Sequence, residues 1–228
     1  MYEKPDLYNA DCMEALKEFP DNFFDLAIVD PPYGSGNSDG GGQRHYTFGL
    51  RKKDKNYENR RNMGEQIRKK IVAWDTAPGQ DYFDELFRVS RDQIIWGGNY
   101  FSLPPTRCFI VWRKTSIGES FSMAMAEYAW TSFTGNAKVY ECMPQGDKND
   151  KRFHPCQKPV QLYLWLLSNY AKKGDKILDT HAGSASSLVA CHFQGIDGWG
   201  FEIDKEYYEK ARTRLDRAKE QISIFELI

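Results

Sequence analysis

Short apolar runs alternate along this chain with segments of helical period, and that alternation constrains its fold more than any other feature. FDLAIVD (24–30), QIIWGG (93–98), CFIVWR (108–113), EYAWTSF (127–133), KILDT (176–180) and GWGFEI (198–203) read as strands, with DLYNA (6–10) as a weaker one. Between them MEALKEF (13–19), YFDELFRVSR (82–91), PVQLYLWLLSNYAKKG (159–174) and SSLVACHFQG (186–195) read as helices. In the third of these, proline stands where a first turn tolerates it and glycine where a helix stops. A last helix from about Lys205 carries Tyr208, Ala211, Leu215, Ala218, Ile222 and Phe225 on one stripe. Strands and helices in this order predict an α/β fold with helices packed on a largely parallel sheet. FDLAIVD is aliphatic enough to be a central strand.

A chain of 228 residues, 41% of them hydrophobic, fills one substantial core, so 1–228 is expected to be a single domain. Net charge is −1, but its distribution is uneven. Residues 43–70 hold ten basic side chains against three acidic ones, a local +7 within a polar, glycine-rich insertion (34–72) that lacks periodicity. The stretch 134–153 is also polar and loop-like. The five cysteines are scattered without a CxxC pair, which argues against a disulfide framework and a zinc site. No apolar stretch approaches a membrane span and the first residues lack a leader pattern, so no membrane partner and a cytoplasmic location are expected.

Several strands end in an acid followed by a turn. KILDTHAGSASS (176–187) places Asp179 at a strand end, then small residues that let backbone N–H groups approach a ligand at a helix start. It equally suits an ordinary strand-to-helix turn with a serine cap. About 20 residues on, Glu202 closes the next strand, where an acid commonly accepts hydrogen bonds from ribose hydroxyls; Asp204 is better placed to cap the last helix. Asp11 repeats the strand, acid, helix form and has capping-box spacing to Glu14; it could also accept from an adenine amino group. In DPPY, Pro31 and Pro32 stiffen the exit from the strand, Asp30 and nearby carbonyls offer acceptors, and Tyr33 offers a flat face. An exocyclic amine on a planar base suits that set, as does a plain proline turn. HPCQKP (154–159) precedes a helix, with Lys158 able to meet a carboxylate and Gln157 supplying donors.

DPPY, HPCQKP and DTHAGSAS, in that order and together with IIWGGNYF (94–101) and FIVWRK (109–114), resemble the β-group of S-adenosylmethionine-dependent DNA amino-methyltransferases, which act on adenine N6 or cytosine N4. The resemblance covers Leu7 to about Tyr208. It implies a Rossmann-like, seven-stranded methyltransferase sheet with one antiparallel strand and circularly permuted motifs, in which the strand before Asp11 lies beside the one ending at Glu202. It assigns Asp30, Pro31, Pro32 and Tyr33 to the target base, with S-adenosyl-L-methionine as cofactor. Asp179 would hold the cofactor's amino group, Lys158 its carboxylate, Glu202 the ribose and Asp11 the adenine. His154, Gln157, His181, Ala182, Gly183, Ser184 and Ser186 would complete that pocket.

Two departures bear on cofactor affinity. The usual Asp-Pro-Phe is Asp179-Thr180-His181, and the usual Gly-Ser-Gly-Thr is Gly183-Ser184-Ala185-Ser186. Asp30 in place of serine favours adenine. The expected partner is duplex DNA, contacted by Arg44, Arg51, Lys52, Lys53, Arg60 and Arg61, with 134–153 as a short target-recognition region and a homodimer as a further option. RNA N6-adenine methylation, DNA N4-cytosine methylation and an inactive nucleic-acid-binding subunit are the alternatives.

Overall fold

The computed structural model describes residues 2–34, 75–119, 124–145 and 152–221. The basic residues 43–70, the turn glycines beyond Gly34, and Ile222 and Phe225 of the last helix lie outside them. The elements run β1 (Leu7–Tyr8), α1 (Cys12–Leu16), β2 (Phe24–Val29), α2 (Gln80–Val89), β3 (Ser90–Trp96), β4 (Ile110–Lys114), β5 (Ala126–Thr131) and β6 (Lys138–Cys142). Then come α3 (Val160–Tyr170), β7 (Lys176–Asp179), α4 (Ser186–Gln194), β8 (Asp197–Phe201) and α5 (Lys205–Glu220).

Among the described residues, eight strands form one sheet in the order β1-β8-β7-β2-β3-β5-β4-β6. Only β5 runs against the others, pairing antiparallel with β3 and β4. The α/β class and the single reversed strand agree with expectation; the strand count is one higher. The extra strand, β6, lies in the stretch read as a loop. Among the described residues it sits at the sheet edge and pairs only with β4, and its first four residues are exposed or half-exposed, so it lacks the apolar alternation that marks a strand. The expected pairing of the two chain ends is present, with Leu7 opposite Gly200 and Tyr8 opposite Phe201.

β2 occupies the middle, between β7 and β3. Its side chains alternate between two cores, as a strand's period of two requires. Leu26 and Ile28 join Ile94, Trp96 and Trp112 of the sheet and Leu162, Leu166 and Leu167 of α3. Ala27 and Val29 join Leu16 of α1 and Tyr82, Phe83 and Leu86 of α2 on the other face. A third cluster packs Leu188 and Val189 of α4 against Ala211 and Leu215 of α5 and Leu7 of β1. Tyr207, one position before the expected Tyr208, is the more deeply buried first residue of the α5 stripe. Because β1, β8, β7, β2 and β3 run parallel, their C-terminal ends gather Asp11, Glu202, Asp179, Asp30 and Gly97 along one edge, where open α/β sheets bind ligands.

Candidate active site

Asp30 follows β2 directly, and Pro31 and Pro32 carry the chain away without backbone donors to hold. The Tyr33 hydroxyl donates to Asp30 Oδ1 at 2.7 Å. Burial, and then the Asp30 charge, push that phenol well above its ordinary value, so it stays a protonated donor. The Tyr33 ring stacks on Tyr100 with centroids 4.8 Å apart and planes 15° from parallel. Gly97, in left-handed conformation at φ 68°, lies against the same ring. A Cβ there would fall 2.2 Å from Cε1 and 2.6 Å from both Cδ1 and Cζ, distances that put it over the ring face. Only glycine permits this approach. Gly34 closes the turn, donating from its backbone N–H to Asp75 at 3.0 Å.

Lys158 reaches Asp30 from the HPCQKP segment, with Nζ 2.5 Å from Oδ2. The same ammonium is 3.2 Å from Glu127 of β5, and Glu127 in turn accepts from Lys114 of β4 at 2.6 Å. Burial alone would lower Lys158, but the Asp30 and Glu127 carboxylates outweigh it and hold the ammonium above its ordinary value. Burial likewise opposes the Glu127 charge, and Lys158 and Lys114 outweigh it, holding that acid down to about 2. Thus Lys158, expected at the cofactor's carboxylate, has the target-side acid as its partner.

At the ends of β7 and β8 stand two acids of different character. Asp179 accepts from the Ser187 hydroxyl and, at 3.1 Å, from the His181 backbone N–H. Burial dominates and pushes it up to about 6. Glu202 accepts from Gly183 N–H at 2.9 Å and Asp204 N–H at 2.8 Å. Burial again prevails, raising it to about 7. Asp204 caps α5 through Glu206 and Tyr207 N–H, as expected. Asp11 caps α1 through Met13 N–H, while Glu14 pairs with Lys17 instead of closing a capping box.

The two departures have physical readings. Thr180 is buried and its hydroxyl is 2.7 Å from the buried Tyr82 hydroxyl, a partner that proline could not supply. Burial pushes His181 down to about 4, so at neutral pH the ring is uncharged; it packs edge-on against Tyr82, as an aromatic ring would. Ala185 keeps the left-handed turn at φ 58° that the usual glycine would adopt freely. The loop is therefore formed, at a cost of about 1–2 kcal/mol for the Cβ.

The remaining expected pocket residues divide. Gly183, at φ 53°, lies against His154, whose ring a Cβ would meet at 3.1 Å. His154 packs edge-on against Tyr207, and Gln157 is buried with Oε1 accepting from Phe153 N–H. Ser186 donates to the Lys158 carbonyl at 2.7 Å and Arg214 to the Ser184 carbonyl at 2.7 Å, bonds that fasten the loop to HPCQKP and α5. Ala182 is buried in the α4–α5 cluster. Glu127, Tyr100 and Gly97 were not singled out from sequence; the signals available were an acid opening an apolar strand and a Gly-Gly pair closing another.

A buried acid pair at neighbouring strand ends, beside a left-handed glycine whose Cβ would crowd the His154 ring, fits the amino acid and ribose ends of S-adenosylmethionine. The chain is similar to several known proteins. The family model described as DNA methylase matches residues 45–213. The type II methyltransferase M.HpaI of Haemophilus parainfluenzae is 25% identical, over 91% of this chain and 73% of that protein. Among solved structures, the M1.HpyAVI complex with S-adenosylmethionine superposes with a TM-score of 0.54 at 18% identity, covering 92% of this chain and 98% of that one. The cytosine-N4-specific PvuII DNA methyltransferase superposes with a TM-score of 0.58 at 14% identity, covering 98% and 92%. The chain belongs to the N6/N4 DNA methylase family, enzymes whose methyl donor is S-adenosylmethionine.

Proposed function

We propose that the chain methylates the N6 amino group of adenine in DNA, taking the base out of the duplex into the space before Asp30 and Tyr33. The observation that carries this reading is Asp30 itself: an acceptor at the end of the central strand, its two oxygens held by Tyr33 and Lys158. An exocyclic amine is a poor nucleophile because its lone pair is delocalised into the ring. Hydrogen bonds from its protons to Asp30 and to a carbonyl near Pro31 favour a more tetrahedral nitrogen with the lone pair free to attack. The help is geometric and electrostatic. S-adenosylmethionine supplies an electrophilic methyl on sulfur. Asp179 and Glu202 orient it through its amino group and ribose, with Asp11, His154, Gly183 and the 181–186 turn around them. Extrusion of the base costs a few kcal/mol, which stacking beside Tyr33 and phosphate contacts from Arg44, Arg51, Lys52, Lys53, Arg60 and Arg61 would offset.

The test is expression in a methylation-free host, with the Asp30→Ala variant alongside, followed by sequencing that separates N6-methyladenine from N4-methylcytosine. The wild type should leave N6-methyladenine at one short sequence. The variant should leave none and still bind S-adenosylmethionine in calorimetry. N4-methylcytosine, methylation of RNA alone, or activity surviving in the variant would each overturn the reading.

A further inference from the structure

Behind Asp30 lies a file of alternating charge: Asp30, Lys158, Glu127, Lys114. The links are 2.5, 3.2 and 2.6 Å. Both ammonium groups are inside the protein, with side-chain exposures of 4% for Lys158 and 8% for Lys114. Each lies 5.1 Å from the centre of an indole, Lys158 over Trp96 and Lys114 over Trp112. The two indoles themselves meet edge to face.

Stability does not account for such a file. Removing four charges from water costs about as much as their mutual attraction returns, and apolar residues of like volume would serve the fold as well. One lysine would also suffice to neutralise Asp30. Glu127 and Lys114 add a second pair at the ends of β5 and β4, whose nearest link to Asp30 passes through Lys158.

We propose that Glu127 and Lys114 are positioning residues that set the acceptor strength of Asp30 by sharing the charge of Lys158. Glu127 draws the ammonium partly to itself and leaves Asp30 with more negative charge for the incoming amine. Lys114 limits that pull by holding the far oxygen of Glu127. When the nitrogen gains its methyl, the proton it must then lose is attracted to the same carboxylate. The inference rests on Asp30 being the amine acceptor.

The opposed signs give a test. Other groups coupled to Asp30 are the Tyr33 hydroxyl, Cys156 of the HPCQKP segment, Asp179 of β7, Tyr82 of α2 and Tyr163 of α3. None is substituted in the variants; Glu127 also acts directly on Tyr33, Cys156 and Tyr163, whereas Lys114→Gln leaves Glu127 in place. The measurement is kcat/KM for a duplex oligonucleotide against pH at saturating S-adenosylmethionine, which reports the groups of the enzyme before DNA binds. Glu127→Gln removes a neighbouring negative charge, so the acid limb should move to lower pH and the plateau should fall about tenfold. Lys114→Gln should move the acid limb to higher pH. Both variants should bind S-adenosylmethionine within about twofold of wild type.

Opposite displacements support the proposal. Unmoved limbs, or displacement in one direction in both, overturn it, since lost packing alone lowers melting temperature without moving the limb in opposite senses. If one variant does not fold, the direction in the other decides. Asp30→Ala, run in parallel, separates the two readings: an active Asp30→Ala enzyme defeats the choice of acceptor, whereas an inactive one with unmoved limbs in the others defeats only the charge file.

Discussion

Asp179 and Glu202 hold their protons more tightly in the folded chain than carboxylates in water, with values of about 6 and about 7 against ordinary ones of 3.8 and 4.5. Because each folded value lies above the unfolded one, ionisation disfavours the fold. Stability is greatest below the unfolded values and falls as pH rises through the folded ones, by up to about 3 kcal/mol per group at roughly 1.4 kcal/mol per pH unit. A cofactor that donates hydrogen bonds to both ionised acids reverses this. Its affinity should rise about tenfold or more between pH 5.5 and pH 7, and level off above. Calorimetry of S-adenosylmethionine binding in two buffers of different ionisation heat reads this directly as released protons. Proton uptake, or affinity independent of pH, would show that these acids do not take the cofactor.

The turn after β3 and the DPPY turn after β2 are one device built from two elements. Gly97 must be left-handed to end β3, and its missing side chain is what allows Tyr33 to lie flat over it. Tyr100, a turn later in a short 3-10 segment (Gly98–Tyr100), then stacks on the same ring. Gly97→Ala strains the backbone and drives a methyl into the Tyr33 ring, so it should cost about 2–3 kcal/mol and displace the tyrosine. Methyl transfer should fall at least tenfold while S-adenosylmethionine affinity is retained, because Asp179 and Glu202, the acids proposed to hold it, stand on other strands. Thermal unfolding and calorimetry separate these effects. The helices α2 and α3 were legible as elements, with ends displaced by up to four residues, and strand boundaries were legible to within one residue where both faces were apolar, as for β2 and β7. They were not legible for β6, where polar side chains cover an edge, or for β1, of which only Leu7 and Tyr8 pair.

At the scale of the whole molecule, the two ends of the chain complete one sheet. β1 extends it beyond β8, and Arg212 of α5 ties that edge down through Asp6, at 2.7 Å, and the Leu7 carbonyl. Asp6 is held below its ordinary value, where burial works against ionisation and Arg212 outweighs it. That pair is partly exposed and worth no more than about 1 kcal/mol. Leu7 carries more, being 1% exposed within the α4–α5 cluster. Leu7→Ala should therefore destabilise the protein by about 2–5 kcal/mol and Asp6→Asn by less than 1, a contrast that urea unfolding measures. Equal effects would mean that the ion pair, not apolar burial, fastens the terminal strand.

The sequence by itself determined the class of fold and the chemistry of the strand ends. An apolar run with a period of two or none dictates a buried strand, and DPPY, Asp179 and Glu202 were readable because each acid directly follows such a run. The tertiary structure decided partnership. Lys158, expected at the cofactor, turns to Asp30 because α3 packs across the face under β2, and Glu127 enters the site only because the reversed β5 runs beside β4 and β3. Spacing along a chain records which residues share an element. Which charges meet across elements 30 to 130 residues apart follows from sheet order, which local patterns do not encode.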